Sequence, residues 1–126
     1  MEQMNQEVLV YHNPRCSKSR CALDFLSERK VNFTVVEYLK DLPSMAELQV
    51  IIEQLGIAPE ALIRKGEEDY KLHFKGKSLS NDEWIAAMLQ FPKLIERPIV
   101  VVGGKAVVAR PTERILELLP TIDNTK

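Results

Sequence analysis

The chain has 126 residues, 45% hydrophobic and 28% charged, which fits one soluble globular domain large enough to bury a core. Lys and Arg number 17 against 18 Asp and Glu, a net charge of −1, and this balance argues against nucleic-acid binding, which draws on a basic excess. Two cysteines are too few for a disulfide framework, so reduced thiols and a cytoplasmic setting are expected. The start carries no signal-peptide pattern, and no apolar run approaches the roughly 20 residues of a membrane helix.

Val8 to Tyr11 is a short apolar run closed by His12-Asn13-Pro14, the pattern of a buried strand ending in a turn. From Ser17 to about Arg29, the residues Ala22, Phe25 and Leu26 make a helical stripe flanked by charges. Phe33 to Leu39 alternates and is rich in β-branched residues, which predicts a second strand, parallel to the first because of the long connection. Ser44 to Glu47 is a capping box, and Leu48, Ile51, Ile52 and Leu55 carry that helix to Gly56. Pro59 opens a short helix through Ile63, and residues 64–79 form a charged surface segment of weak periodicity. A second capping box, Ser80 to Glu83, starts a helix with Trp84, Ile85, Met88 and Leu89, which must stop near Pro92.

Ile99 to Val102, Gly103-Gly104 and Lys105 to Val108 then read as an antiparallel hairpin. A closing helix is expected from Pro111, Ile115, Leu116, Leu118 and Leu119, with a polar tail over residues 121–126. The order βαβ, helices, ββα is an α/β fold of the thioredoxin kind. No repeat or linker interrupts it, so residues 1–126 read as a single domain, most simply a monomer.

Cys16 falls where the first helix begins, and unpaired backbone N–H groups at such a place favour an anion. Arg15, Lys18 and Arg20 are close by in sequence, and Ser17 and Ser19 are small. A thiol so placed ionises early, and the thiolate is the nucleophile. Cys21 lies five residues on, about 140° around a regular helix, where the two side chains do not face each other. Core packing beside Ala22 is the expectation for Cys21; a resolving role would need the first turn to unwind. Arg97 and Arg110 each precede a proline at the two feet of the hairpin, hence at one end of it, and Arg64 ends the short apolar helix. A guanidinium fork matches two oxygens of a tetrahedral oxyanion, although any one arginine alone is more often a solvated surface charge. His12, four residues before Cys16, could steady a thiolate, orient the loop or simply sit in it. Gly76-Lys77-Ser78 lacks the earlier glycine of a phosphate-binding loop, and the cysteines and histidines match no metal pattern.

Tyr11-His12-Asn13-Pro14-Arg15-Cys16-Ser17-Lys18-Ser19-Arg20 resembles the active-site stretch of the glutaredoxin-dependent, ArsC-like arsenate reductases. Ala61 to Lys65, Glu96 to Val101 and Ala109 to Glu113 resemble the family's other three blocks, in order. The chain is most similar to the compact, chromosomal arsenate reductase-like subgroup, without an extended C-terminal tail. The resemblance implies a thioredoxin-like fold with a helical insertion before the hairpin. It also implies Cys16 as nucleophile, Arg64, Arg97 and Arg110 on the oxyanion, and His12 and Ser19 assisting the thiolate. Pro98 would be the structural proline that faces the reactive cysteine in such folds, although trans is the ordinary state of its peptide bond. The reaction implied is arsenate reduction with glutathione as co-substrate and glutaredoxin as partner, and with no bound cofactor or metal. Two other readings share the fold. One is a general thiol-disulfide, deglutathionylating enzyme or a reductase of another oxyanion. The other is a redox-sensing regulator that binds RNA polymerase, but those carry a second cysteine where this chain has Ser19.

Overall fold

The computed structural model describes residues 8–118. Strands β1 (Val8–His12), β2 (Thr34–Glu37), β3 (Ile99–Val102) and β4 (Lys105–Val108) form one mixed sheet in the order β2-β1-β3-β4. β1 and β2 are parallel, joined through helix α1 (Ser17–Glu28), and β3 is antiparallel to β1 on one side and β4 on the other. The parallel pair and the hairpin therefore share one sheet, as the sequence predicts.

By packing, the chain falls into two compact units. One comprises residues 1–37 and 97–126, of which 8–37 and 97–118 are described; the other is Tyr38–Glu96. The first unit is organised by the sheet. Val8 and Val10 of β1, Val100 and Val102 of β3 and Val107 of β4 pack with Ala22 and Leu26 of α1 and with Ile115 and Leu118 near the end of the described chain. All four residues of β3 are buried, because a strand between two partners with a covered face has little room for polar side chains.

Helix α1 buries Ser19, Ala22 and Leu26, a stripe that leaves Phe25 only half-buried. Cys21 sits about 100° from Ala22 and about 140° from Leu26 on this wheel, and it is exposed. The expectation that Cys21 packs in the core is thus overturned: the buried stripe runs through Ser19, one side of Ala22, and the thiol points away from it. The closing segment also differs from expectation. It is a 3₁₀ helix, Thr112–Leu118, in which Ile115 and Leu118 are buried and Leu116 is exposed. A spacing of three puts Ile115 and Leu118 above one another at three residues per turn, which the tighter helix satisfies. Leu119 and the polar tail lie outside the described residues.

The second unit is helical. Helix α2 (Met45–Leu55) starts with Ser44 Oγ accepting from Glu47 N–H and Glu47 Oε1 accepting from Ser44 N–H, and it stops at Gly56 in the left-handed conformation, φ 71°. Pro59–Leu62 is a 3₁₀ turn, after which Ile63 pairs with Ile95 in an antiparallel bridge. Arg64 N–H donates to Leu94 O at 2.7 Å and Glu96 N–H to Leu62 O at 2.9 Å, which aligns the segment before Arg64 with the one before Arg97. The charged stretch that looked weakly periodic contains a short helix, α3 (Glu68–His73), with no fully buried residue. Its rings hold it: Tyr70 stacks on Trp84 at 6.4 Å and His73 on Phe91 at 5.0 Å, with Phe74 set against both Trp84 and Phe91. Helix α4 (Asn81–Gln90) opens on the Ser80–Glu83 capping box, packs on α2, and gives way to a second 3₁₀ turn at Pro92–Leu94. Among the described residues no helix is long and apolar enough to cross a membrane.

Candidate active site

The segment between β1 and α1 is folded by its own polar groups. Pro14 turns the chain, Cys16 N–H donates to Asn13 O at 2.9 Å, and Arg15 N–H donates to Asn13 Oδ1 at 3.0 Å. Asn13 N–H in turn donates to the Ser19 hydroxyl at 3.3 Å. Asn13 and Ser19 are buried, so this turn is tied down from both ends. The result is that Cys16 stands as the N-cap residue of α1 in extended backbone.

The Cys16 thiol feels two opposed effects. Burial pushes its pKa up, but hydrogen bonds from the Ser19 N–H, the Arg97 guanidinium, the Lys18 N–H and the Ser19 hydroxyl outweigh that and lower it to about 7. Arg110 adds a further donor, its Nη2 lying 3.5 Å from Sγ. The sequence puts Arg15, Lys18 and Arg20 nearest, yet the cations that reach the sulfur come from the hairpin feet. Lys18 contributes through its backbone.

Arg97 and Arg110 meet as the hairpin geometry predicts. With Ile99 opposite Val108, the two arginines follow on outward from the same end, and Arg110 Nε donates to Arg97 O at 2.6 Å. Arg110 Nε is thereby fixed to the backbone while Nη2 faces Cys16. Arg97 is buried. Both arginines are followed by cis peptide bonds, to Pro98 and Pro111, where the base rate expects trans; Pro98 is fully buried at the head of β3.

His12 ends β1 and is buried, its pKa lowered by burial despite the opposing influence of Glu37. Ser19 is fully buried between the turn and the sulfur. The first unit thus gathers Cys16, Ser19, His12, Arg97, Arg110 and Pro98. Arg64 belongs to the second unit, where its guanidinium hydrogen-bonds Glu67 Oε2 at 3.1 Å and forms an ion pair with Glu96 Oε1 at 3.3 Å. Those two carboxylates went unnoticed in the sequence; the i,i+3 spacing of Arg64 and Glu67 was the available signal for one of them. Cys16 and Cys21 are both free thiols.

A thioredoxin-like α/β unit with an ionisable cysteine heading its first helix and arginines at the foot of its hairpin defines a class of thiol-dependent oxyanion chemistry. The sequence profile of the ArsC family matches residues 11–118, and the chain belongs to that family. An arsenate reductase of Neisseria meningitidis serogroup A is 44% identical over 115 residues, covering 90% of this chain and 98% of the relative. An arsenate reductase of Escherichia coli is 40% identical over 114 residues, covering 90% of this chain and 81% of the relative. The solved structure of an arsenate reductase from Vibrio cholerae matches with a TM-score of 0.84 at 46% identity, covering 89% of this chain and 97% of that one.

Proposed function

We propose that the chain reduces arsenate to arsenite, with Cys16 as nucleophile, glutathione as co-substrate and glutaredoxin as the partner that regenerates the thiol. The observation that carries this is a thiol ionising at about 7 with the Arg97 and Arg110 guanidinium groups beside it. At neutral pH a large fraction of such a thiol is thiolate, the form that attacks. The arginines supply what a tetrahedral oxyanion needs, paired N–H donors and positive charge that is in place before the reaction starts. Arg64 joins them on the strength of the family resemblance.

In the first step the Cys16 thiolate attacks arsenic, a sulfur–arsenic bond forms, and one arsenate oxygen departs as water once protonated. Glutathione then supplies the second thiol. Two sulfurs become one mixed disulfide on Cys16, and the two electrons so released take arsenic from the +5 to the +3 state. Glutaredoxin, with a second glutathione, returns Cys16 to the thiol. The electrons all come from thiols, so the reading calls for no bound cofactor or metal. It places the protein, as a monomer, in the reducing cytoplasm where glutathione is available. Similarity to the arsenate reductases of Neisseria meningitidis and Escherichia coli supports the choice of arsenate.

The deciding experiment follows arsenite formation with glutathione and glutaredoxin, alongside removal of glutathione from a model mixed disulfide on the same preparation. Wild-type protein should produce arsenite and Cys16→Ser should produce none. Arsenite production that persists in Cys16→Ser rules out Cys16 as the nucleophile. Fast deglutathionylation with negligible arsenite favours the general thiol-transfer enzyme instead.

A further inference from the structure

His12 is a buried ionisable group whose Nδ1 has no hydrogen-bond partner among the described residues. It closes β1, and the parallel register sets it directly opposite Glu37, the last residue of β2. Paired residues on adjacent strands stand about 4.8 Å apart and project from the same face of the sheet, so the carboxylate and the imidazole are neighbours. On the helix side the ring hydrogen-bonds the Ser19 backbone, and Arg20 of α1 is the opposing charge. On the β3 side the chain continues outward from Ile99, opposite Tyr11, into Pro98 and Arg97, and the Arg97 guanidinium is turned to Cys16. Among the described residues Glu37 is therefore the one carboxylate acting on His12, against burial and Arg20. Ser19 links this pair to the thiol, since its N–H and hydroxyl both hydrogen-bond Cys16.

We propose that Glu37 is a positioning residue of the thiol site: from the end of β2 it favours a proton on buried His12, and through Ser19 that positive charge steadies the Cys16 thiolate. The proposal rests on the reading of Cys16 as the nucleophile and deepens it. Without Glu37, burial and a nearby arginine discharge a histidine in this place, and only the Ser19 backbone hydrogen bond, the weakest of the four influences, still opposes them. With Glu37, the protonated imidazole becomes accessible when the pH drops, which is when a thiolate most needs a neighbouring cation. The site would keep its nucleophile further into the acid range than the arginines alone allow.

The test uses the full chain in a Cys21→Ser background, because the exposed Cys21 thiol would also react. Two quantities are followed from about pH 5 to about pH 9: the His12 NMR titration and the rate of Cys16 alkylation by iodoacetamide. Glu37→Gln should lower the His12 midpoint by about half a pH unit or more. It should also slow alkylation at about pH 6 roughly twofold relative to about pH 9, while Glu37→Asp keeps most of the wild-type profile. In a His12→Gln background, Glu37→Gln should no longer slow the reaction. An unchanged His12 midpoint overturns the proposal, as does a lowered midpoint with an unaltered alkylation profile. Slowing that persists in the His12→Gln background overturns it too, since the effect would then bypass the imidazole. A Glu37 that merely braces the strand would lower the melting temperature and leave both profiles in place, which also refutes the role. Neither readout involves arsenate, so arsenite formation surviving Cys16→Ser would remove Cys16 as the nucleophile toward arsenate while these titrations still decide whether Glu37 tunes its thiol.

Discussion

A thiol that ionises at about 7 in the folded protein and at about 8.5 in the unfolded chain links stability to pH. Below about pH 7 both states hold the proton and the thiol contributes nothing. Between about pH 7 and 8.5 the native state has lost its proton and the unfolded state has not, so stability rises with pH through that window. Urea denaturation of wild type and Cys16→Ser should therefore give curves that separate as the pH is raised from about 7 to about 8.5, with wild type gaining. Parallel behaviour of the two proteins across the window would mean that the native thiol is not selectively ionised. At this scale the site was largely legible beforehand. Cys16 announced itself by standing at a strand-to-helix turn, and Arg97 and Arg110 by flanking one hairpin. Less legible was the source of the charge, because sequence proximity favoured Arg15, Lys18 and Arg20 while tertiary folding delivered Arg97 and Arg110. Cys21 lies outside the buried face because Phe25, apolar in sequence, is only half-buried, and counting it in the stripe rotates the expected face towards Cys21. The true face includes Ser19, a polar residue that buries itself by bonding to Asn13 and to the thiol.

Helix α1 ends in a six-residue closure: Lys30 N–H donates to Ser27 O and Val31 N–H to Leu26 O, both at 3.0 Å. Val31 also packs against the cluster that contains Leu26. This motif wants a left-handed residue at Lys30, which has φ 60°, and a side chain there is disfavoured where glycine is not. Lys30→Gly should therefore raise stability by about 1 kcal/mol, seen as a higher melting temperature with unchanged arsenite formation. A lower melting temperature would show that the Lys30 side chain stabilises the helix end more than its backbone strains it. Elements with end signals are the legible ones: the two capping boxes mark the starts of α2 and α4, and Gly56 marks the end of α2. Those without such signals are not. The leucines and isoleucine of the last segment allow several spacings and do not distinguish an α-helix from a 3₁₀ helix, and α3 has no local signal because aromatic rings from α4 and Phe91, remote in sequence, hold it.

Across the whole molecule, the division into a sheet unit and an inserted helical unit was anticipated only as a helical insertion, since Tyr38 and Glu96 follow and precede strands with no change in composition. Stability is concentrated in the buried sets of each unit. Leu26, fully buried against the sheet, should cost about 2–5 kcal/mol when changed to alanine, a large part of the roughly 5–15 kcal/mol that holds a domain folded. Val50, exposed on α2, should cost about 0.5 kcal/mol or less for the same change. Urea midpoints of the two variants test this contrast, and similar midpoints would mean that Leu26 is not packed as described. The hairpin offers a practical use of its shape. Its feet hold the chemistry, while its tip, Gly103-Gly104, is exposed and lies roughly 14 Å away at the far end of four residues of strand. A fluorescent reporter or surface tether attached at that tip would ride on the same rigid rod that carries both arginines, which makes it the natural handle for turning the protein into an immobilised sensor.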